Sequence, residues 1–426
     1  MSPNVTPHPA APSAPSGETD TRPLAGIRIL DLTSVVVGPA ATLRLADLGA
    51  EIIKIEAPGG DLLRTLGGPS PSGQMSGKYL HFNRAKRSVC LDLKQKAGLE
   101  ALLSILAGCD VLVSNIRPDA LARLGLDATT CRVRQPGLIH CTITGFGPGG
   151  PYRGRPAYDS VLQGVAGVAG LALRRDGVPR FAPLLLADHV VGEITAGAIS
   201  AALLRRLRTG QGSTLEIPMF ETMAAFVLQE HLGPQTFNPP LGRAGDARVL
   251  DPNNTPVATA DGWICVTSNT DAQAHAFLRA IGRPELIEDP RFRTVATRFR
   301  HAGDWFGLRA EALHQQPTAH WLEVLQAADV PAMICHTLES LPEDAHLRAT
   351  GLLVHETHPT DGPMTTIRPS LLIDGAPVDP GPPAEQLGQS TRAVLAAAGL
   401  TEDAIAALIA SGVAIVDCKI CASVNG

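Results

Sequence analysis

The first half of the chain alternates between short apolar runs and stretches whose apolar positions recur at helical spacing. The apolar runs predict buried strands over 26–32, 51–56, 88–93, 110–114 and 138–144. Helical patterns over 38–48 and 97–106 lie between them, and the first opens on Pro39, in a first-turn position where proline is favoured. This strand–helix–strand alternation predicts an open α/β fold with a parallel sheet, whose ligands bind at the carboxyl ends of its strands.

A longer helical pattern occupies the middle of the chain, within Pro183–Gly212. Apolar residues recur from Val190 to Leu207 at the spacing of one helix face, arginines crowd the last turn, and Gly210 ends the pattern. Asp188 falls where this helix begins, and there the backbone N–H groups and the helix dipole are expected to keep its carboxylate ionised. An ionised carboxylate beside apolar residues is a candidate nucleophile, although Asp188 taken alone also fits a plain helix N-cap.

Two features precede that helix. The segment Gly145–Gly150 matches the GxGxxG pattern of dinucleotide-binding loops, but Pro148 removes a backbone donor and the prolines that follow stop a helix from starting at once. It therefore predicts a tight, flexible glycine loop beside a ligand. Asp159 precedes a predicted small-residue helix over 161–171, where it fits a helix N-cap.

The second half of the chain has a different pattern. A strand over 213–218 and a helix over 219–231 end the first unit. A hairpin with an Asp261-Gly262 turn opens a small α+β domain, with helices over 272–281, 294–315 and 321–327 and a strand over 331–336. A second hairpin turns at Asp361-Gly362. The C-terminal helices, over 386–398 and 402–409, are expected to pack back on the first domain.

These patterns divide the chain into five segments. Residues 1–22, rich in Pro, Ala and Ser, predict a disordered extension. The other boundaries place a large α/β domain at 23–232, a Pro- and Gly-rich linker at 233–254, a small α+β domain at 255–340 and a returning segment at 341–426.

Composition narrows the function. The chain has 426 residues, of which 44% are hydrophobic and 18% charged, and these values suit a globular protein with a large core. A net charge of −5 without a long basic run argues against nucleic acid as a partner. No membrane span or signal peptide is evident, and the eight cysteines are scattered, so we expect a cytoplasmic protein with reduced thiols. Cys418 and Cys421 form one CxxC without a second pair, so no zinc or other metal site is expected.

Several segments together resemble the family III CoA-transferases, of the formyl-CoA and carnitine-CoA transferase type also called CaiB/BaiF. The likeness runs from Leu24 to about Pro377, and its markers keep their order and spacing. They are LAGIRILDLTSVVVGPAATLRLADLGAEIIKIEAPGGD, FNRAKRSVCLDLK, SNIRPDALARLGL, ITGFGPGGPYRGRPAYD, LADHVVGEITAGAISAALLRRLRTGQG, TADGWICVTSN and DPRF. The resemblance implies a Rossmann-like large domain, a smaller α+β domain, and two ring-like chains interlocked as a homodimer.

The resemblance also implies site residues. The catalytic aspartate falls on Asp188, and a second acidic position near the acyl group falls on Asp159, beside Tyr158. Contacts with coenzyme A fall on Val36, Val37, Leu91, Lys94, Asn115, Ile116, Arg117 and Arg123. The basic side chains suit the phosphates of CoA, but each is also compatible with a solvated surface, and Leu91 and Ile116 with a core.

Some positions depart from the family pattern. The formyl-CoA branch has a glutamine where this chain has Val36 and an arginine where it has Ala57, which argues against formyl-CoA and oxalate as substrates. For the glycine flap of family members, only Gly242 and Gly245 are candidates.

The predicted activity is transfer of CoA from an acyl-CoA to a carboxylic acid through an aspartyl anhydride and an aspartyl-CoA thioester, with no cofactor other than CoA itself. The sequence names neither donor nor acceptor. An α-methylacyl-CoA racemase of the same fold is the nearest alternative, but its histidine base falls on Tyr158, and a phenol is a poor base at neutral pH. A catalytically silent CoA-binding protein is a third reading, against which the intact Asp188 argues.

Overall fold

A computed structural model describes residues 20–416 of the chain. Most of the predicted N-terminal extension and the Cys418/Cys421 pair lie outside the described residues. The strands are β1 (Arg28–Leu32), β2 (Glu51–Glu56), β3 (Lys86–Leu91), β4 (Val111–Ser114), β5 (Ile139–Thr144), β6 (Thr214–Pro218), β7 (Val257–Ala258), β8 (Trp263–Val266), β9 (Ala332–Ile334), β10 (Leu353–His358), β11 (Gly362–Ile367), β12 (Leu372–Ile373), β13 (Ala376–Pro377) and β14 (Ala414–Ile415).

Helices connect and cover these strands. They are α1 (Val37–Asp47), α2 (Gly77–Asn83), α3 (Lys96–Leu106), α4 (Pro118–Arg123), α5 (Ala128–Arg134), α6 (Asp159–Val165), α7 (Val168–Asp176), α8 (Leu186–Thr209), α9 (Met219–His231), α10 (Asp271–Ala280), α11 (Val295–Arg300), α12 (Ala302–Leu313), α13 (Thr318–Ala327), α14 (Ala345–Thr350), α15 (Thr391–Ala397) and α16 (Glu402–Ala410). Within residues 20–416, none of them combines the length and apolar character needed to cross a bilayer.

The largest sheet has seven strands in the order β14-β3-β2-β1-β4-β5-β6. Strands β1 to β6 run parallel, and β14 pairs antiparallel with β3 at one edge. The predicted α/β fold with a parallel sheet is therefore confirmed. Because the strand order reverses between β1 and β4, the loops after these strands diverge and leave a crevice at their carboxyl ends.

Helices pack on both faces of this sheet. Successive residues of a strand point to opposite faces, so Ile29 and Leu30 of β1 enter two different cores. Ile29 packs with residues of α1 and α8. Leu30 packs with residues of α3 and of the C-terminal helices α15 and α16. The last part of the chain thus completes the core built by the first part.

Helices α1 and α8 approach each other closely. A Cβ atom on Gly192 of α8 would lie 3.1 Å from the Val37 carbonyl oxygen and 3.1 Å from the Ala40 Cβ of α1, so a side chain there would require the two helices to move slightly apart. This contact brings the start of α8, and with it Asp188, beside the turn that joins β1 to α1.

Two predicted helices are interrupted. The helix expected over 161–171 is split into α6 and α7 because Gly167 adopts a left-handed conformation with φ of 91°. The helix expected over 294–315 is split into α11 and α12 at His301, whose ψ of 38° is not helical. Both stretches keep an apolar periodicity, which does not reveal a one-residue break.

The residues after the linker build a separate core. Strands β7, β8 and β9 form an antiparallel sheet, and the predicted hairpin pairs Val257 with Ile264. Phe277, Trp305 and Trp321, from α10, α12 and α13, fill the core beside this sheet. The second predicted hairpin is formed by β10 and β11, with His358 paired to Gly362.

Candidate active site

A cavity of about 850 Å³ opens at the carboxyl ends of β1, β4 and β5, where the strand order reverses. Its size falls within the range of small-molecule and cofactor sites. Eight of the eleven predicted site residues line it, namely Val36, Val37, Asn115, Ile116, Arg117, Arg123, Tyr158 and Asp188. The fold therefore brings together residues that are separated by as many as 152 positions in the chain.

The other three predicted residues do not line the cavity. Leu91 is fully buried in the core and pairs with Ala414, so its side chain has no surface to offer a ligand. Lys94 is exposed in the turn after β3, two strands away from β1. Asp159 is buried directly behind the start of α8. The eight lining residues can therefore contact a ligand in this cavity, whereas the side chain of Leu91 cannot.

Asp188 is the third residue of α8, and it is 8% exposed. The sequence argument expected the helix N-terminus to keep this carboxylate ionised, and that expectation is wrong. Burial, followed by the negative charge of Asp159, raises the pKa of Asp188 to about 7. The reason is that the amides at the start of α8 are bound to another carboxylate, so they do not stabilise the charge of Asp188.

That other carboxylate belongs to Asp159. Its Oδ1 accepts hydrogen bonds from the backbone N–H groups of Ala187, at 2.7 Å, and Asp188, at 3.3 Å. Asp159 is the first residue of α6 and, contrary to the sequence expectation, does not cap that helix. Instead it satisfies two donors at the start of α8, which fixes its negative charge next to Asp188.

Gln163 holds Asp159 in this position. Its side-chain Nε2 donates to Asp159 Oδ2 at 2.7 Å and to the Leu184 carbonyl oxygen at 3.0 Å, while its Oε1 accepts from the Ala182 N–H at 2.9 Å. Gln163 is 1% exposed. Gln163 therefore links α6 to the loop that leads into α8. No motif or periodicity in the sequence identified Gln163 as a site residue.

The turn between β1 and α1 forms one wall of the cavity. Val35 has a φ of 67°, a left-handed conformation that is strained for a β-branched residue. Its N–H donates to the Asp61 carboxylate at 3.1 Å. Lys54 donates to Asp61 at 2.8 Å and to the Thr33 carbonyl oxygen at 2.9 Å. The buried Lys54–Asp61 pair thus holds the backbone of this turn in place through hydrogen bonds to Thr33 and Val35.

Asn115 joins this turn to the end of β4. Its side-chain Oδ1 accepts from the Ser34 N–H at 3.1 Å, and its Nδ2 donates to the Ser34 carbonyl oxygen at 2.9 Å. Asn115 therefore links the loops after β1 and β4, at the point where the strand order reverses. Arg117 lies just before α4, and Arg123 is the last residue of α4. Both side chains are exposed and form no ion pair within residues 20–416, so both are available to bind phosphate groups.

The loop of residues 145–158 forms another part of the wall, and Gly145, Phe146 and Pro148 line the cavity, as the glycine-loop reading predicts. The Gly147 N–H donates to Glu221 Oε1 at 3.0 Å, and a Cβ at Gly147 would lie 2.5 Å from that oxygen. The flap candidates Gly242 and Gly245 do not line the cavity.

Sequence reasoning did not single out six polar residues of the cavity wall, which are Ser34, Asp119, Thr144, Arg153, Arg155 and Glu216. Arg153 and Arg155 lie in the same 145–158 loop. Thr144 ends β5, is 9% exposed, and its hydroxyl has no hydrogen-bond partner among the described residues. A polar residue at the carboxyl end of an apolar strand is the only sequence signal that points to Thr144. Within residues 20–416, no group of three or more His, Cys, Asp or Glu side chains is arranged to hold a metal ion.

The arrangement can position a thioester beside a buried carboxylate. Known proteins share this fold and this sequence pattern. The mouse succinyl-CoA:glutarate CoA-transferase is 31% identical over 94% of this chain and 92% of its own length. The succinate–glutarate CoA-transferase of Agrobacterium fabrum is 32% identical over 88% of this chain and 95% of its own.

Solved structures agree with these relatives. The crystal structure of Rv3272 from Mycobacterium tuberculosis matches 87% of this chain and 98% of its own with a TM-score of 0.75 at 28% identity. A CaiB/BaiF family protein from Brucella suis matches 88% of this chain and 99% of its own with a TM-score of 0.75 at 27% identity. The model of the family described as CoA-transferase family III matches residues 24–391. The chain therefore belongs to CoA-transferase family III and is a CoA-transferase.

Proposed function

We propose that this enzyme moves CoA from an acyl-CoA donor to a small carboxylic acid through covalent intermediates on Asp188. The observation that carries the proposal is the buried carboxylate of Asp188 at the start of α8, which opens into a cavity of CoA-binding size. Relatives are named for succinyl-CoA with glutarate or D-citramalate and for acetyl-CoA with oxalate, which supports an acyl-CoA and a free acid as the two substrates.

The reaction has four covalent steps. The Asp188 carboxylate attacks the donor thioester carbonyl, expels CoA as a thiolate and becomes a mixed anhydride. The thiolate then attacks the Asp188 carbonyl carbon and releases the donor acid, which leaves an aspartyl-CoA thioester. The acceptor carboxylate attacks that thioester, and CoA leaves again. Finally the thiolate attacks the acceptor carbonyl of the new anhydride, which yields the product acyl-CoA and regenerates Asp188.

The surroundings of Asp188 suit these steps. Burial and the fixed charge of Asp159 raise the pKa of Asp188 to about 7, which makes its carboxylate a stronger nucleophile than an exposed aspartate. Exposure of only 8% limits the access of water to the anhydride and the thioester, both of which hydrolyse. Arg117 and Arg123 are positioned to bind CoA phosphates.

Substitution of Asp188 tests the proposal. Asp188→Ala and Asp188→Asn should abolish CoA exchange and still bind CoA, because both retain the cavity and lose the nucleophile. Hydroxylamine should trap an adduct on wild-type Asp188 during turnover and none on the variants. Asp119→Asn is the matched control, since this carboxylate also lines the cavity and has no role in the proposed steps. Transfer near the wild-type rate by Asp188→Ala would refute the assignment.

We also propose that the chain functions as a homodimer of interlocked rings. Helices α6 to α9 carry exposed apolar side chains that favour burial against a second copy, among them Val161, Val165, Leu173, Leu204, Leu207 and Phe226. An interlocked interface would exceed the ~1,600 Å² of a standard complex and should survive dilution to nanomolar concentration.

Sedimentation velocity tests the dimer. Leu207→Asp, at a position 80% exposed in one copy, should yield monomer, whereas Val133→Asp, at a comparably exposed position on α5, should leave the dimer intact. A wild-type monomer that is stable and active at nanomolar concentration would contradict the proposal.

A further inference from the structure

The cavity wall includes an apolar part and a basic part, beside the acidic side chains of Asp119, Asp188 and Glu216. Val36, Val37, Ile143 and Met219 supply apolar surface, and all four are less than 10% exposed. Arg153 and Arg155 supply positive charge from the 145–158 loop. An occupant that suits both parts has an apolar middle and a negatively charged end.

The guanidinium of Arg155 is oriented by stacking on an aromatic ring, before a negatively charged ligand binds. Its guanidinium carbon lies 4.8 Å from the centre of the Tyr152 ring, and the Tyr152 ring lies 5.4 Å from that of Phe146, a cavity residue. A guanidinium stacked on an aromatic ring is oriented before a ligand arrives, which lowers the entropy lost on binding.

Neither Arg153 nor Arg155 has an acidic partner among residues 20–416, where the described ion pairs and side-chain hydrogen bonds involve other residues. The guanidinium N–H groups of Arg155 are therefore available to a carboxylate, which this group binds in a two-pronged geometry. By contrast, other exposed arginines such as Arg175 and Arg291 bind neighbouring aspartates.

The position of these arginines favours the acyl group over the phosphates of CoA. Arg155 precedes Asp159 by four residues, so its Cα lies at most ~14 Å from that of Asp159. Asp159 is in turn bonded to the backbone of Asp188. Arg117 and Arg123, which we assign to CoA phosphates, come from a different segment of the chain, after β4.

We propose that Arg155, supported by Arg153, binds the second carboxylate of the acyl group, so that the substrates are short dicarboxylic acids whose methylene carbons pack on Val36, Val37 and Met219. The inference rests on the proposed function and adds its substrate class. The remote carboxylate then fixes the reacting carboxylate near Asp188, and this orientation accelerates transfer.

A matched pair of acceptors tests the inference with the full-length enzyme. Glutarate and pentanoate have the same number of carbons and differ in the second carboxylate. With succinyl-CoA as donor, wild-type kcat/KM should be at least tenfold higher for glutarate. Arg155→Gln should lower kcat/KM for glutarate by roughly 10- to 100-fold, the loss typical of a charge-assisted hydrogen bond, and leave that for pentanoate within about threefold.

Two further variants separate the possible roles. Arg155→Lys should recover part of the glutarate activity, because it restores the charge and not the fork geometry. Arg117→Gln should weaken transfer to both acceptors equally, because both reactions use the same CoA. An equal loss for both acceptors in Arg155→Gln would assign Arg155 to CoA and overturn the inference, as would equal wild-type use of glutarate and pentanoate. Absence of transfer to any acid by the wild type would instead refute the proposed function.

Discussion

The raised pKa of Asp188 implies that this buried carboxylate destabilises the native state when it is ionised. Burial and Asp159 raise its pKa from 3.8 to about 7, so the native state holds this proton more tightly than the unfolded chain does. The resulting stabilisation is complete below pH 3.8 and is lost as the pH rises through 7. Each pKa unit corresponds to ~1.4 kcal/mol, so up to ~4 kcal/mol is lost at pH 8.

Asp188→Asn removes the titrating group and keeps the size of the side chain. No hydrogen bond to the Asp188 carboxylate contributes to its pKa, so the substitution sacrifices no such bond. We therefore expect the Asp188→Asn variant to be more stable than the wild type at pH 8 by up to ~4 kcal/mol. At pH 5 native Asp188 is mostly protonated, and the difference should fall to ~2 kcal/mol.

Denaturant unfolding at pH 5 and pH 8 measures this difference. Far-UV circular dichroism is the suitable probe, because all three tryptophans lie after the linker and their fluorescence follows that region: Trp305 and Trp321 are in its core, and Trp263 is exposed on β8. Asp119→Asn, which replaces an exposed carboxylate of the same cavity, is the control and should show no comparable pH-dependent gain. A stability difference for Asp188→Asn that is absent at pH 8, or equal at both pH values, would refute the reasoning.

Two further substitutions and one exchange experiment test the same geometry. Asp159→Asn removes the charge beside Asp188, so the acidic limb of the pH profile of kcat/KM should move below 7, by less than half of the distance to 3.8 because burial is the larger cause; an unmoved limb would contradict the coupling. Lys54→Met leaves the buried Asp61 carboxylate unpaired and should lower stability by ~3–5 kcal/mol and raise the KM for acyl-CoA, measured by thermal unfolding and initial rates; an unchanged KM would show that the Val35 turn does not depend on this pair. Incubation with a chiral 2-methylacyl-CoA in deuterated water should give little α-deuterium by mass spectrometry, because the racemase histidine is expected at the position of Tyr158 and His189 does not line the cavity. Rapid exchange without a carboxylate-dependent product would favour the racemase reading.

Local pattern was sufficient for the elements and for much of the site. The strand from Glu51 to Glu56 and the helix from Met219 to His231 have the predicted bounds, because apolar periodicity and flanking glycine or proline are properties of neighbouring residues. The resemblance likewise placed Asp188, Arg117 and Tyr158 on segments that end at one cavity, since the carboxyl ends of parallel strands meet at one edge of a sheet.

Tertiary structure decided what those residues do electrostatically. The sequence showed Asp188 at a helix start, where amides would favour its charge, but only packing showed that Asp159, 29 residues earlier, binds those amides. Tertiary structure also decided that Leu91 is buried, because the returning strand β14 pairs with β3 beside it. It likewise decided that Arg155 has no acidic partner, since this depends on residues distant in the chain. Periodicity records which face of an element is buried, whereas a pKa or a free guanidinium depends on which groups other elements place within a few ångströms, and the fold alone sets those distances.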